Sequence, residues 1–182
     1  MDFNRLEQNL TDNIYEAQLK LGYERRPISL NYMLASLNHL MGTELDTAGM
    51  EKALLSFAEY AAPRFGKMTY RPVNGGFCFV VPVEGVSYVH NNAPESSFIA
   101  ELVAMLRRHD LTMDDVLELF RSFSGNVSVT DMSSSGEFDL LVYFPDGVPD
   151  SYRYCLAFED DFGCCHVTYH RFIPEDYADL GF

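Results

Sequence analysis

The apolar period changes at Lys67, and that change narrows the folds open to the chain. Before it, hydrophobic residues recur at spacings of three and four. After it, stretches that alternate by two take turns with further helical stretches. Helices bury a stripe and strands bury every second side chain, so one chain carrying both patterns predicts an α+β protein.

Phe3, Leu6, Leu10, Ile14, Ala17 and Leu21 predict a helix over residues 2–21, with Gly22 as its terminator. The stripe is narrow, close to a heptad seam. It suits docking on its own domain or on a second copy of the chain. Ser29 is read as the cap of a second helix to Met41, with Leu30, Met33, Leu34, Leu37 and Leu40 inward. A third helix is expected from Thr47 to Ala62, stopped by Pro63 and Gly66.

Lys67–Val73 and Phe77–Val83 flank Asn74-Gly75-Gly76, a strong hairpin signal because the tight turn needs positive φ. Pro72 and Pro82 assign these strands to an edge or to bulges. Val86–His90 reads as a third short strand. Asn92 is the expected cap of a helix reaching His109, and Thr112 with Asp115 resembles a capping box opening another to Ser124.

Four strands follow, Asn126–Thr130, Glu137–Phe144, Ser151–Glu159 and Cys164–Phe172, parted by SSSG, PDGVPD and DDFG. Such short turns predict an antiparallel meander carrying the two preceding helices. The acidic tail PEDYADLGF is expected to dock or to remain mobile. The domains are read as 1–92, helical with a hairpin, and 93–182, acidic α+β, or as one compact unit.

The chain has 182 residues, and 27 Asp and Glu against 13 Lys and Arg give a net charge of −14. Residues 1–92 hold 8 basic and 10 acidic groups; residues 93–182 hold 5 and 17. Phosphate binding rests on Lys and Arg, so this balance disfavours nucleic acid as a partner, above all for the second half. It also disfavours an anionic membrane surface.

The start MDFNRLEQNL lacks the basic and apolar regions of a signal peptide, and no apolar run is long enough to span a bilayer. Cys78, Cys155, Cys164 and Cys165 form no spaced framework. A cytoplasmic protein is expected.

The order helix, helix, short link, helix, hairpin, from RPISLNYMLASLNHLMG through TAGMEKALLSFAEYAAPRFG to MTYRPVNGGFCFVV, resembles a winged helix. The resemblance implies that Thr47–Ala62 occupies the recognition-helix position. Its polar residues there are Glu51, Lys52, Ser56 and Glu59, without the Arg, Asn or Gln that read bases. Lys67 and Arg71 on the wing make a small phosphate footprint.

Through LGYERRPISLNYMLASLNHL and its aromatic C-terminal strands, the chain also resembles a family of uncharacterised proteins of unknown function from Gram-positive bacteria. That resemblance implies a cytoplasmic bacterial protein and brings no activity, ligand or catalytic residue.

Reactive side chains concentrate in the last hairpin. Alternation puts Cys164, His166, Thr168 and His170 on one strand face, and Cys155 joins them if the apolar faces align. Cys155, Cys164, His166 and His170 are therefore the metal candidates, since zinc favours thiolate and imidazole. Side chains two apart on a strand diverge, however, and no CxxC or HxxxH accompanies them.

A Cys–His nucleophilic pair is the same cluster read differently, with Glu159 or Asp161 orienting the imidazole. Packing thiols explain the cysteines more simply. Glu159, Asp160 and Asp161 lack the ligand spacing of a calcium loop. His39, His90 and His109 read as isolated structural residues.

No catalytic residue and no cofactor is assigned. The expected function is a protein-interaction or regulatory module without catalytic activity, its partner another protein or a second copy through the first helix. The alternatives are an enzyme, small-ligand or metal-binding protein using the Cys155/Cys164/His166/His170 face, and an acidic mimic of nucleic acid.

Overall fold

A computed structural model describes residues 1–161 and 164–174, the side chains of Ser135, Asp160, Asp161, Cys164 and Cys165 excepted. The tail after Pro174 and the Phe162-Gly163 part of the last turn lie outside the described residues. The chain divides into two compact units, Met1–Pro94 and a second beginning at Glu95. Among the described residues no helix is long and apolar enough to cross a membrane.

The first unit runs α1 (Phe3–Leu21), β1 (Ile28–Met33), α2 (Leu34–Met41), α3 (Thr47–Phe65), β2 (Thr69–Val73), β3 (Gly76–Val81) and α4 (Val83–Asn91). Its sheet is antiparallel in the order β1-β3-β2. Asp2 caps α1 by accepting from the Arg5 N–H. The α1 seam packs within the unit: Leu6, Leu10 and Ile14 are fully buried, while Leu21 at the helix end is exposed. The hairpin forms at Asn74-Gly75 with Gly75 at φ +77°, and Pro72 sits on an edge strand as its missing N–H requires.

Three local expectations are corrected. Residues 28–33 form a strand, where Ser29 was expected to cap a helix. All six pair with β3, whose second edge would otherwise expose its backbone groups. Met33, expected inward, is 58% exposed. The helix begins instead at Leu34, whose N–H donates to the Gly75 carbonyl.

Pro63 does not stop α3, which continues one turn to the fully buried Phe65 before Gly66 closes it. Val86–His90 belongs to a helix, although its β-branched and aromatic residues favour a strand. Gly85 decides this by allowing a close approach: a Cβ there would meet Val81 Cγ1 at 2.7 Å and the Phe65 carbonyl oxygen at 2.8 Å. Tertiary packing overrides local propensity.

The second unit runs α5 (Phe98–Met105), α6 (Met113–Phe123), β4 (Ser128–Asp131), β5 (Leu140–Tyr143), β6 (Arg153–Asp161) and β7 (Cys164–Phe172). The four strands form the expected antiparallel meander, β4-β5-β6-β7. The Thr112–Asp115 capping box is present in full. Asn92 was expected to open α5 but closes α4, its side-chain amide donating to the Tyr88 carbonyl. Ser97 caps α5, which ends at Met105, short of His109.

The core is a ring cluster, with Phe98 against Phe120 (4.7 Å), Phe144 (5.0 Å) and Tyr154 (5.4 Å) in edge-to-face contacts. Such contacts add to what burial alone contributes.

Candidate functional site

The β6–β7 hairpin sets the Cys/His face. Its register pairs Cys155 with His170, Ala157 with Thr168, and Glu159 with His166. Paired residues share a face, so Cys155, His166 and His170 lie on one side of the sheet as the alternation requires. They do not form one cluster. His166 lies four residues from His170 along β7, roughly 13 Å at 3.3 Å per residue. Among the described residues no group of three or more His, Cys, Asp or Glu is placed to hold a metal ion. The side chains of Cys164 and Asp161 lie outside the described residues.

Cys155 is buried, and burial first and the Glu137 charge second push its thiol up. A raised thiol keeps its proton, the opposite of an activated nucleophile. His170 stacks between Phe138 (6.4 Å) and Phe172 (5.8 Å), so the row around Cys155 is chiefly aromatic.

The structure adds contacts that the sequence hides. His109, from the α5–α6 link, meets His166 edge to face at 5.1 Å. His90 stacks flat on Tyr23 at 3.9 Å, and His39 hydrogen-bonds Arg5 at 2.9 Å. None of the three is isolated. Their partners lie 57, 67 and 34 residues away along the chain, and no local pattern points to them.

In the first unit the outward side of α3 is open. Ala48, Glu51, Lys52, Ser56, Glu59 and Ala62 are exposed, and Leu55 is 58% exposed among them. On the opposite side Met50, Leu54, Phe57 and Phe65 are essentially fully buried. The hairpin strand β2 packs its Tyr70 toward the start of α3, the hydroxyl donating to the Glu51 carbonyl at 3.2 Å. Lys67, in the bend before β2, and Arg71 on β2 are exposed. They face solvent beside a helix with two exposed carboxylates and one exposed ammonium, a weak electrostatic match for DNA.

A shallow apolar cleft of about 90 Å³ lies where α1 ends, lined by Ile14, Ala17, Leu21, Pro27, Ile28 and Val86. It is far smaller than the roughly 300–1,000 Å³ typical of ligand pockets.

No curated protein matches this chain, and no solved structure does. The family model described as "Domain of unknown function, E. rectale Gene description (DUF3877)" matches residues 3–181. It agrees with the resemblance carried by LGYERRPISLNYMLASLNHL and, like it, brings no activity. The chain belongs to this family of unknown function.

Proposed function

We propose that the first unit is a winged-helix-type module that acts through protein contact, and that the chain is a cytoplasmic interaction or regulatory protein without catalytic machinery. The order helix, strand, helix, helix, strand, strand and the sheet order β1-β3-β2 support the winged-helix reading. The observation that carries protein contact is Leu55, 58% exposed at the middle of the helix that would face DNA. An exposed Leu between carboxylates suits a protein surface and repels phosphate. The buried free thiols of Cys78 and Cys155 support a reducing compartment.

The test captures partners from the protein's own cells with the wild-type chain and with Leu55→Glu. A partner held by wild type and lost by the variant is expected. Retardation of duplex DNA that weakens with salt and disappears in Lys67→Ala/Arg71→Ala would overturn the reading.

A second reading has one observation in its favour. Two imidazoles on one tetrahedral zinc have ring centres about 5 Å apart, given Zn–N near 2.0 Å. His109 and His166 stand at 5.1 Å, a separation that edge-to-face packing also produces. Stoichiometric zinc in the purified protein, lost in His166→Ala, would establish this reading.

A further inference from the structure

We propose that the outward face of α3 docks on the same face of a second copy of this chain, the two helices antiparallel about a two-fold axis. This rests on the protein-contact reading of the first unit and names its partner.

The helix has 19 residues and so extends about 28 Å, long enough for a helix–helix contact. Ala48, Leu55 and Ala62 are seven residues apart and fall on one line along it. All three are exposed. The large side chain stands at the centre, and the small ones on either side let a second helix approach closely.

Charge selects the occupant. Lys52 and Glu59 are also seven apart and flank that line on one side. Neither forms an ion pair among the described residues. A parallel second copy would put its Lys52 and Glu59 on the far side of the seam, where they meet neither charge. An antiparallel copy, with its axis between Leu55 and Ser56, sets Lys52 against Glu59 of the second copy, and Glu59 against its Lys52. Both charges are then matched twice over, around a central pair of Leu55 side chains. A uniformly acidic or basic partner would leave one charge of each pair opposed. Self-complementarity of this kind defines an isologous two-fold interface.

Sedimentation of the full chain tests the proposal. Wild type is expected to dimerise. Leu55→Glu should weaken the dimer about a hundredfold, as loss of a central anchor does. Lys52→Glu should weaken it about tenfold, and Lys52→Glu/Glu59→Lys should restore it. These positions are exposed, so an unchanged thermal unfolding midpoint, measured at a dilution where every chain is monomeric, will show that each variant folds.

Orientation is read by cross-linking. Leu55→Cys should link to its own copy. Ala48→Cys and Ala62→Cys should each fail alone and link to each other when mixed.

A wild-type chain that stays monomeric at about 100 μM, or a double swap that fails to restore the dimer, overturns the proposal. If wild type is monomeric while Leu55→Glu still loses a partner captured from cells, the self-docking falls and the protein-contact reading stands. If Leu55→Glu changes neither measurement, both fall.

Discussion

The two units spend their apolar residues differently. In the second, Phe98, Phe120, Phe144 and Tyr154 close on one another between two helices and a meander, while the surface is strongly acidic. In the first, the core is also complete, with Phe57, Phe65, Phe77 and Phe79 buried, yet large apolar side chains remain outside. Leu21, Met33, Leu55 and Val73 are exposed there; among the described residues of the second unit the corresponding set is Met113, Val129 and Val148. Scattered exposed apolar residues are ordinary. Leu55 differs because it is centred on a helix face whose flanking charges form no ion pair among the described residues. The difference teaches that both units leave single apolar side chains outside, but that in the first unit one of them stands at the middle of a long helix face.

The largest effect that can break this contrast comes from the ring cluster. Phe120→Ala is expected to cost about 3–5 kcal/mol, because the ring leaves a cavity that its neighbours fill only in part. Denaturant unfolding will measure it; a loss under about 1 kcal/mol would mean that the cluster is not the core of its unit.

Next come adjacent leucines in the first unit. Leu54→Ala should cost about 2–5 kcal/mol, since Leu54 is fully buried, whereas Leu55→Ala should change monomer stability by less than about 0.5 kcal/mol. Equal effects would show that α3 has no free face.

A smaller effect tests the helix start in the second unit. Thr112→Ala should cost about 1 kcal/mol by removing the cap that the Asp115 N–H donates to.

The smallest effects are pH dependences. Hydrogen bonds from the Thr112 hydroxyl, then from its backbone N–H, hold Asp115 below the usual carboxylate range. Ser133 does the same for Asp131. A carboxyl depressed in the folded state stabilises it above the unfolded carboxyl's pKa and loses that contribution as pH falls through the folded value. Asp115→Asn should therefore flatten the acid side of the stability–pH curve.

Cys155 runs the other way. Its thiol is pushed up, so the unfolded chain ionises first and the fold loses stability as pH rises through the thiol range. The native thiol should also alkylate far more slowly than the same thiol in denaturant. Equal rates would place Cys155 at the surface.

Much of the architecture is legible in residue order because it depends on local periodicity. The stripe of α1, the capping box of α6, the Asn74-Gly75 turn and the β6–β7 alternation each appear within one element, and each stands in the structure as the pattern predicts. The helix expected from Ser29 and the strand expected at Val86–His90 differ from the structure for a shared reason. In both, local preference was weaker than a distant partner: the open edge of β3 in one case, the close approach of Gly85 to Phe65 in the other.

The Cys/His face was only half legible. Alternation placed Cys155, His166 and His170 on one side, but their separation along the hairpin, the aromatic flanks of His170 and the His109–His166 contact depend on register and on loops. The α3 face was less legible still. Leu55 lies next to Leu54 in the sequence, and only packing reveals which of the two turns outward.

By itself, the sequence determined the α+β class, the meander, the family and the concentration of acid in the second half. Periodicity, turn chemistry and charge are properties of neighbouring residues, so residue order suffices for them. Tertiary structure alone decided that the α1 seam is consumed inside its own unit and that the α3 face is left open. Burial is a contest among all the apolar faces of a unit, and its outcome is set by which faces meet.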